Sequence, residues 1–181
     1  MSLPDVAKVG TVIFVVAIMQ VTIFNTIDIL GGTPDVLLVS LLCIALLRGS
    51  IVGAIAGFWA GLIVDTANLG TLGVSSLLLT IAGYWIGRYG ETTGRDRAHA
   101  PYLSVGVVTI LYALGALIVH YMLGDPVSGR EVLLDSLPPS LLLNLLLTAP
   151  VYAVVRRLLP PVSSLDAVTV LVPKKTTPNV P

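Results

Sequence analysis

The sequence predicts an all-α polytopic membrane protein with six transmembrane helices and both termini on the cytoplasmic side. Three observations carry that reading. Hydrophobic residues make up 55% of the 181-residue chain and charged residues only 11%, against roughly 25% in soluble domains, which excludes an ordinary soluble protein. The apolar residues fall into six runs between short polar breaks, as expected of helices that satisfy their own backbone inside lipid. With the N-terminus inside, nine of the ten Lys and Arg fall on the inner side. They are Lys8, Arg48, Arg88, Arg95, Arg97, Arg156, Arg157, Lys174 and Lys175, with only Arg130 outside, a strong positive-inside bias.

The first run, Val6 to Phe24, is long enough to span the hydrocarbon core. No small-x-small cleavage site follows it, so it reads as an uncleaved helix rather than a signal peptide. Thr33-Pro34-Asp35 then supplies a helix start, with threonine as cap, proline in the first helical position and an early aspartate against the positive helix end. The second helix runs from Pro34 to about Leu47, and Arg48-Gly49-Ser50 turns the chain into a third, Ile51 to Asp65. Both hairpin helices are too short for the core at 1.5 Å per residue. Either the bilayer thins around them or the protein shelters them, with Arg48 snorkelling to the headgroups.

The fourth run covers Leu72 to about Gly87, and a polar segment from Arg88 to Ala100 leads to the fifth, Tyr102 to Leu123. After a loop from Gly124 to Leu137, the sixth starts at Pro138 or Pro139 and reaches about Leu159, with Pro150 expected to bend it. Residues 1–160 therefore form one integral membrane bundle. Residues 161–181, rich in proline, read as a flexible cytoplasmic tail. The apolar patch Val168 to Val172 in that tail suits a strand added to a partner's sheet edge, weak contact with the membrane surface, or no role.

The third helix has two dissimilar halves. Gly53, Ala54, Ala56, Gly57, Ala60, Gly61 and Val64 make a smooth side with Asp65 at its edge, while Ile51, Val52, Ile55, Phe58, Trp59, Leu62 and Ile63 make a bulky one. Three glycines would each cost about 1 kcal/mol in a water-exposed helix. In lipid the small-x-x-x-small pattern allows close backbone approach.

Ionisable residues within spans are the first functional candidates in a membrane protein, and here they are few. Asp35 and Asp65 sit at the outer ends of the hairpin helices. Capping and the helix dipole account for Asp35; Asp65, at a helix C-terminus, needs a partner, and the N–H groups of the Asn68 to Gly73 turn are the nearest donors. A ligand or partner protein is the other reading for Asp65. Ser75 and His120 are too isolated in pattern for an intramembrane serine protease. The spans hold too few carboxylates for a di-aspartate protease or a metal-dependent phosphotransferase. No metal-ligand spacing or phosphate loop appears, so no catalytic residue, metal, cofactor or nucleic-acid partner is expected. The lone Cys43, inside an apolar run, is expected to pack. In the sixth helix Ser140, Asn144, Thr148, Tyr152 and Arg156 recur every fourth residue, a polar seam suited to hydrogen bonds between helices, either within the bundle or to a partner.

One ordered set of residues resembles a known family. Pro34-Asp35, the apolar run Val36 to Leu47, Arg48-Gly49, then Gly53, Gly57-Phe58, Gly61-Leu62, Asp65 and Gly73, with Gln20 before them, resemble the bacterial rod shape-determining MreD family. The likeness is strongest from Gln20 to Gly87 and absent from the tail. It implies a non-enzymatic subunit of the cell-elongation machinery in the cytoplasmic membrane, binding the bitopic protein MreC. MreC would link it to MreB filaments, RodA and a class B penicillin-binding protein that together build lateral peptidoglycan. It also implies a fold similar to the substrate-binding subunits of energy-coupling-factor transporters, so a vitamin-binding subunit is the alternative. On the adaptor reading the smooth face of the third helix packs against the protein's own first and fourth helices or against the MreC span.

Overall fold

A computed structural model describes residues 3–27, 31–69, 71–93, 99–124 and 129–159. The tail proposed for residues 161–181 lies outside the described residues. Among the described residues six α-helices follow one another: α1 (Leu3–Thr22), α2 (Val36–Arg48), α3 (Ser50–Ala67), α4 (Val74–Thr93), α5 (Ala100–Leu123) and α6 (Leu137–Leu158). A 3-10 turn, Phe24–Thr26, follows α1, and a π-helical stretch, Glu131–Ser136, leads into α6. Among the described residues four segments are long and apolar enough to cross a membrane: Asp5–Thr22, Ser50–Ala67, Ala100–Leu123 and Val132–Leu158. The protein is thus a helical, multi-pass membrane protein.

The centre of the bundle is α2. It has 13 residues, about 20 Å of helix, less than the roughly 30 Å of hydrocarbon. Every residue from Leu37 to Leu47 is buried, and each of the other five helices packs against it. A helix that is hydrophobic all round belongs in an interior, and the protein itself supplies that interior. Its shortness is therefore accommodated by enclosure, and its ends need not reach the headgroups. Around it, Val9, Ile13 and Ala17 of α1, Leu79 of α4, Val105 and Val108 of α5 and Val155 of α6 complete the core.

Beside α2, α3 and α4 run antiparallel at backbone contact. A Cβ added to Gly53 would strike the Gly83 carbonyl, and one added to Gly83 would strike the Gly53 carbonyl. At Gly57 it would meet the Leu79 carbonyl, at Gly61 the Ser76 backbone, at Gly87 the backbone of Gly49 and Ser50, and at Gly90 the Leu46 carbonyl. The smooth side of α3 is thus spent on α4. Its bulky side faces outward, with Ile51, Ile55, Phe58 and Trp59 all exposed.

Several expected details differ. The cap of α2 is Asp35, whose side chain accepts from the Leu38 N–H, so the helix starts at Val36 and both Thr33 and Pro34 precede it. Arg48 does not snorkel: its side chain is only 4% exposed and its guanidinium lies 3.6 Å from the Asp5 carboxylate of α1. The polar segment after Gly87 is helical as far as Thr93, because Gly90 packs on Leu46 and Glu91 bonds to Ser50. Residues 129–136, expected in a loop, are helical. Pro138 and Pro139 cannot donate to the carbonyls four residues back, and Leu137 donates instead to Val132, five residues back. Pro150 lies inside α6 and lines an apolar groove between α1 and α6.

The glycine contacts set a contrast between two substitutions. Gly57→Ala should lower the unfolding temperature in detergent, and Gly57→Leu further, by an overpacking cost of about 1–3 kcal/mol or more. Gly10→Ala on α1, where an added Cβ has nothing within 4 Å, should leave it unchanged or raise it. Equal responses at the two sites would contradict the close packing of α3 on α4.

Candidate functional site

The polar side chains gather at the ends of α2 and α3. An α-helix begins with N–H groups that have no partner in the helix, and in a buried helix each needs a partner from elsewhere. The start of α2 is supplied by three other points in the chain. Asn144 Oδ1 of α6 accepts from the Asp35 N–H at 2.8 Å. Gln20 Oε1 of α1 accepts from Val36 at 2.9 Å and Leu37 at 3.3 Å, while Gln20 Nε2 donates to the Pro34 carbonyl. Asp35 Oδ1 accepts from Leu38 at 2.9 Å. The Val39 N–H then makes the first bond of the helical ladder, to the Asp35 carbonyl.

Ser140 and Asn144 of the polar seam tie α6 to this point. Ser140 Oγ accepts from the Thr33 N–H, and Asn144 Nδ2 donates to Thr109 Oγ1 on α5. The seam's other half turns inward. Thr148 is fully buried and donates to the Asn144 carbonyl of its own helix, and Tyr152 packs against the apolar core. Arg156 is exposed.

Asp65 closes the same end of the hairpin. Its carboxylate is buried and accepts from the backbone N–H groups of Gly73 at 2.8 Å, Ser75 at 3.2 Å and Ser76 at 3.4 Å. The C-terminus of α3 disfavours a negative charge, whereas the N-terminus of α4 favours it, and the side chain reaches across. Gly73 adopts φ +100° to present its N–H, a backbone angle that excludes most other residues. Ser76 Oγ donates to the Phe58 carbonyl, and Tyr112 of α5 lies beside Ser75.

Between α5, α6 and the segment before α2 is a cavity of about 220 Å³, lined in part by Asp35, Thr109, Tyr112, His120, Ser140 and Asn144. His120 thus faces Asp35's cavity, while the Ser75 N–H serves Asp65. Among the described residues, no three His, Cys, Asp or Glu side chains converge as a metal site would need. Among the described residues the arrangement offers hydrogen bonding and one carboxylate.

At the opposite end, Gly49 turns the chain with φ +98°. The next N–H, of Ser50, is accepted by Glu91 at 2.8 Å, and the Ser50 hydroxyl donates to the same carboxylate at 3.0 Å. Arg88 adds a contact at 3.2 Å. These bonds, the Ser50 N–H first, hold the Glu91 carboxyl below the ordinary 4.5.

Of the residues singled out in the sequence, Gly53, Gly57 and Gly61 face α4. Pro34, Asp35, Ser140 and Asn144 meet at the start of α2. Asp65 and Gly73 bond to each other. Gln20's part in capping α2 was hidden because its partners lie 14 to 17 residues away. Gly83, Gly87 and Gly90 were overlooked although Gly83 and Gly87 carry the same fourfold spacing as α3.

Gln20→Leu should leave the Val36 and Leu37 N–H groups unpaired and destabilise the protein by about 1–3 kcal/mol. Amide hydrogen exchange should quicken first at those two positions. Thr148→Val, which removes a bond within one helix, should cost less. For Glu91 the sign follows from a folded-state pKa that is lowered. Its contribution is full above the ordinary carboxylate value and is lost as pH falls through the folded value. The stability gap between wild type and Glu91→Gln should therefore be constant near neutrality and narrow below about pH 4.5; melts across that range check it.

Comparison with curated proteins and with solved structures returned no match. A family model does match, that of the rod shape-determining protein MreD, over residues 6–162. That stretch takes in every helix from the core of α1 to the end of α6. The chain belongs to the MreD family of rod shape-determining proteins.

Proposed function

We propose that this protein is a non-enzymatic adaptor of the bacterial cell-elongation machinery, seated in the cytoplasmic membrane with both termini inside. It supports rod shape and lateral peptidoglycan synthesis by binding MreC, and through MreC it communicates with MreB, RodA and a class B penicillin-binding protein. The observation that carries this reading is the family match over residues 6–162. The segregation of basic residues supports the orientation, since it places Arg48, Arg88, Arg156 and Arg157 at one side of the bundle. The smooth face of α3 is occupied by α4, so on this reading MreC engages another surface.

The alternative is a vitamin-binding subunit of an energy-coupling-factor transporter, and the cavity beside Asp35 is the feature it would use. At about 220 Å³ that cavity falls below the roughly 300–1,000 Å³ of pockets that enclose drug-sized molecules, which favours the adaptor.

Depleting the protein from a rod-shaped host should round the cells, as seen by microscopy. Affinity purification from membranes of the same host should recover an MreC-like bitopic chain. Unchanged shape together with a co-purifying transporter ATPase would overturn the adaptor reading in favour of the alternative.

A further inference from the structure

The groove between α1 and α6 is apolar and measures about 470 Å³, with Thr11, Val12 and Val15 of α1 on one wall, Val154 and Leu158 of α6 on the other and Ser40 of α2 between them. Gln20, late in α1, and Asn144, early in α6, meet at the start of α2, so the two helices run antiparallel. Lys8 and Arg157 therefore stand together at the other end. At about 100° per residue, Lys8 falls about 20° from Val15 round α1, and Arg157 about 60° from Val154 round α6. Arg156, by the same count, falls about 160° from Val154 and faces away from the groove. Lys8 and Arg157 are both exposed, and among the described residues neither has a hydrogen bond or an ion pair. Asp5, the acidic residue of α1, is engaged by Arg48.

We infer that this groove seats one acidic phospholipid, with its phosphate between Lys8 and Arg157 and an acyl chain along the apolar walls. Charge and length both select that occupant. Long basic side chains at the end of an apolar groove reach the headgroup level while their stems stay against the apolar surface, and basic sites between membrane helices hold anionic headgroups. From Leu158 back to Leu147 the lining extends about 16 Å at 1.5 Å per residue. That matches one leaflet, half of a hydrocarbon core roughly 30 Å thick. A partner helix crossing the membrane would need the whole thickness and would bring nothing by itself to answer the two cations. A second groove of like size, about 450 Å³, lies between α1 and α3, with Gly10 in its lining. Gly10 falls about 160° from Lys8 round α1, so that groove lacks the basic pair and serves as an internal control. On the orientation proposed above the lipid belongs to the inner leaflet. The site itself depends neither on that orientation nor on the adaptor reading.

The test titrates the full-length protein in dodecyl maltoside micelles with dioleoyl phosphatidylglycerol, and with dioleoyl phosphatidylcholine as the zwitterionic lipid carrying the same chains. Phosphatidylglycerol should raise the unfolding temperature by a few degrees in a saturable way, and phosphatidylcholine should do so less. Lys8→Gln and Arg157→Gln should each raise the phosphatidylglycerol concentration needed for half the effect about fivefold. Arg156→Gln removes the same charge from the other side of α6 and should not. Val154→Trp fills the groove from its exposed flank and should abolish the shift, whereas Gly10→Leu, which fills the control groove, should keep it. Equal shifts with the two lipids, equal losses at Arg156 and Arg157, or a shift that survives Val154→Trp would overturn the proposal. So would a disulfide-linked dimer of Val154→Cys in membranes, which would seat a second copy in the groove; Cys43 is buried and does not compete. None of these outcomes bears on cell shape or on recovery of an MreC-like chain.

Discussion

The structure depends on enclosing one short helix. With every residue from Leu37 to Leu47 buried, α2 has little access to water. Its unpaired backbone groups must be satisfied by the protein, since an unsatisfied group in an apolar medium costs several kcal/mol. That requirement explains why polar side chains of distant helices converge where they do. Gln20 comes from α1 and Asn144 from α6, the latter 109 residues away in sequence. Four consecutive N–H groups, from Asp35 to Leu38, are thereby accounted for. The other end is treated by different means. Gly49 turns the chain with its N–H bonded to the Ala45 carbonyl, and Asp5 comes from α1 to meet Arg48.

Close packing of α3 on α4 follows from the same enclosure. The fourth helix must lie against α2 while also accompanying α3, and side chains on both faces would hold the three axes apart. Glycine at 53, 57 and 61 on one helix and at 83, 87 and 90 on the other removes that bulk. In lipid, where burial of apolar surface gives no net drive to association, dense van der Waals contact is the main attraction between helices. The last two α4 glycines pack on the Leu46 to Ser50 corner, where α2 becomes α3. The extension of α4 to Thr93 is thus part of the hairpin's enclosure, with Glu91 serving the first N–H of α3.

Much of this was legible in the sequence. The helix number follows from apolar runs and polar breaks, because backbone satisfaction in lipid allows little else. The smooth face of α3 could be read from a helical wheel, and the need of Asp65 for donors from the turn after it follows from the helix dipole. The central place of α2 was not legible. Lipid and protein interior are both apolar, so an all-round hydrophobic helix reads alike in either setting. Arg48 was misplaced for a related reason. A basic residue at a helix end snorkels when it has no partner, and its partner Asp5 lies on a helix that the sequence does not place beside it. Asn144 and Asp35 posed the same problem. Each has a sufficient local account, a polar seam for one and a cap for the other, and neither account points to the bond between them.

The two hairpin aspartates show how a helix N-terminus is served by its own cap or from the end of the helix before it. Capping accounts for the presence of Asp35 as fully as it would for serine or asparagine, since each accepts from the same N–H. The positive end of α2 accounts for the charge. At Asp65 the charge has a use: it is shared among three N–H groups at the start of α4, where the helix dipole is favourable. At Asp35 two neighbouring N–H groups are assigned to Gln20 of α1, and the carboxylate serves Leu38. The carboxylate at position 35 thus starts the helix that carries it, while the one at position 65 joins the hairpin to the fourth helix.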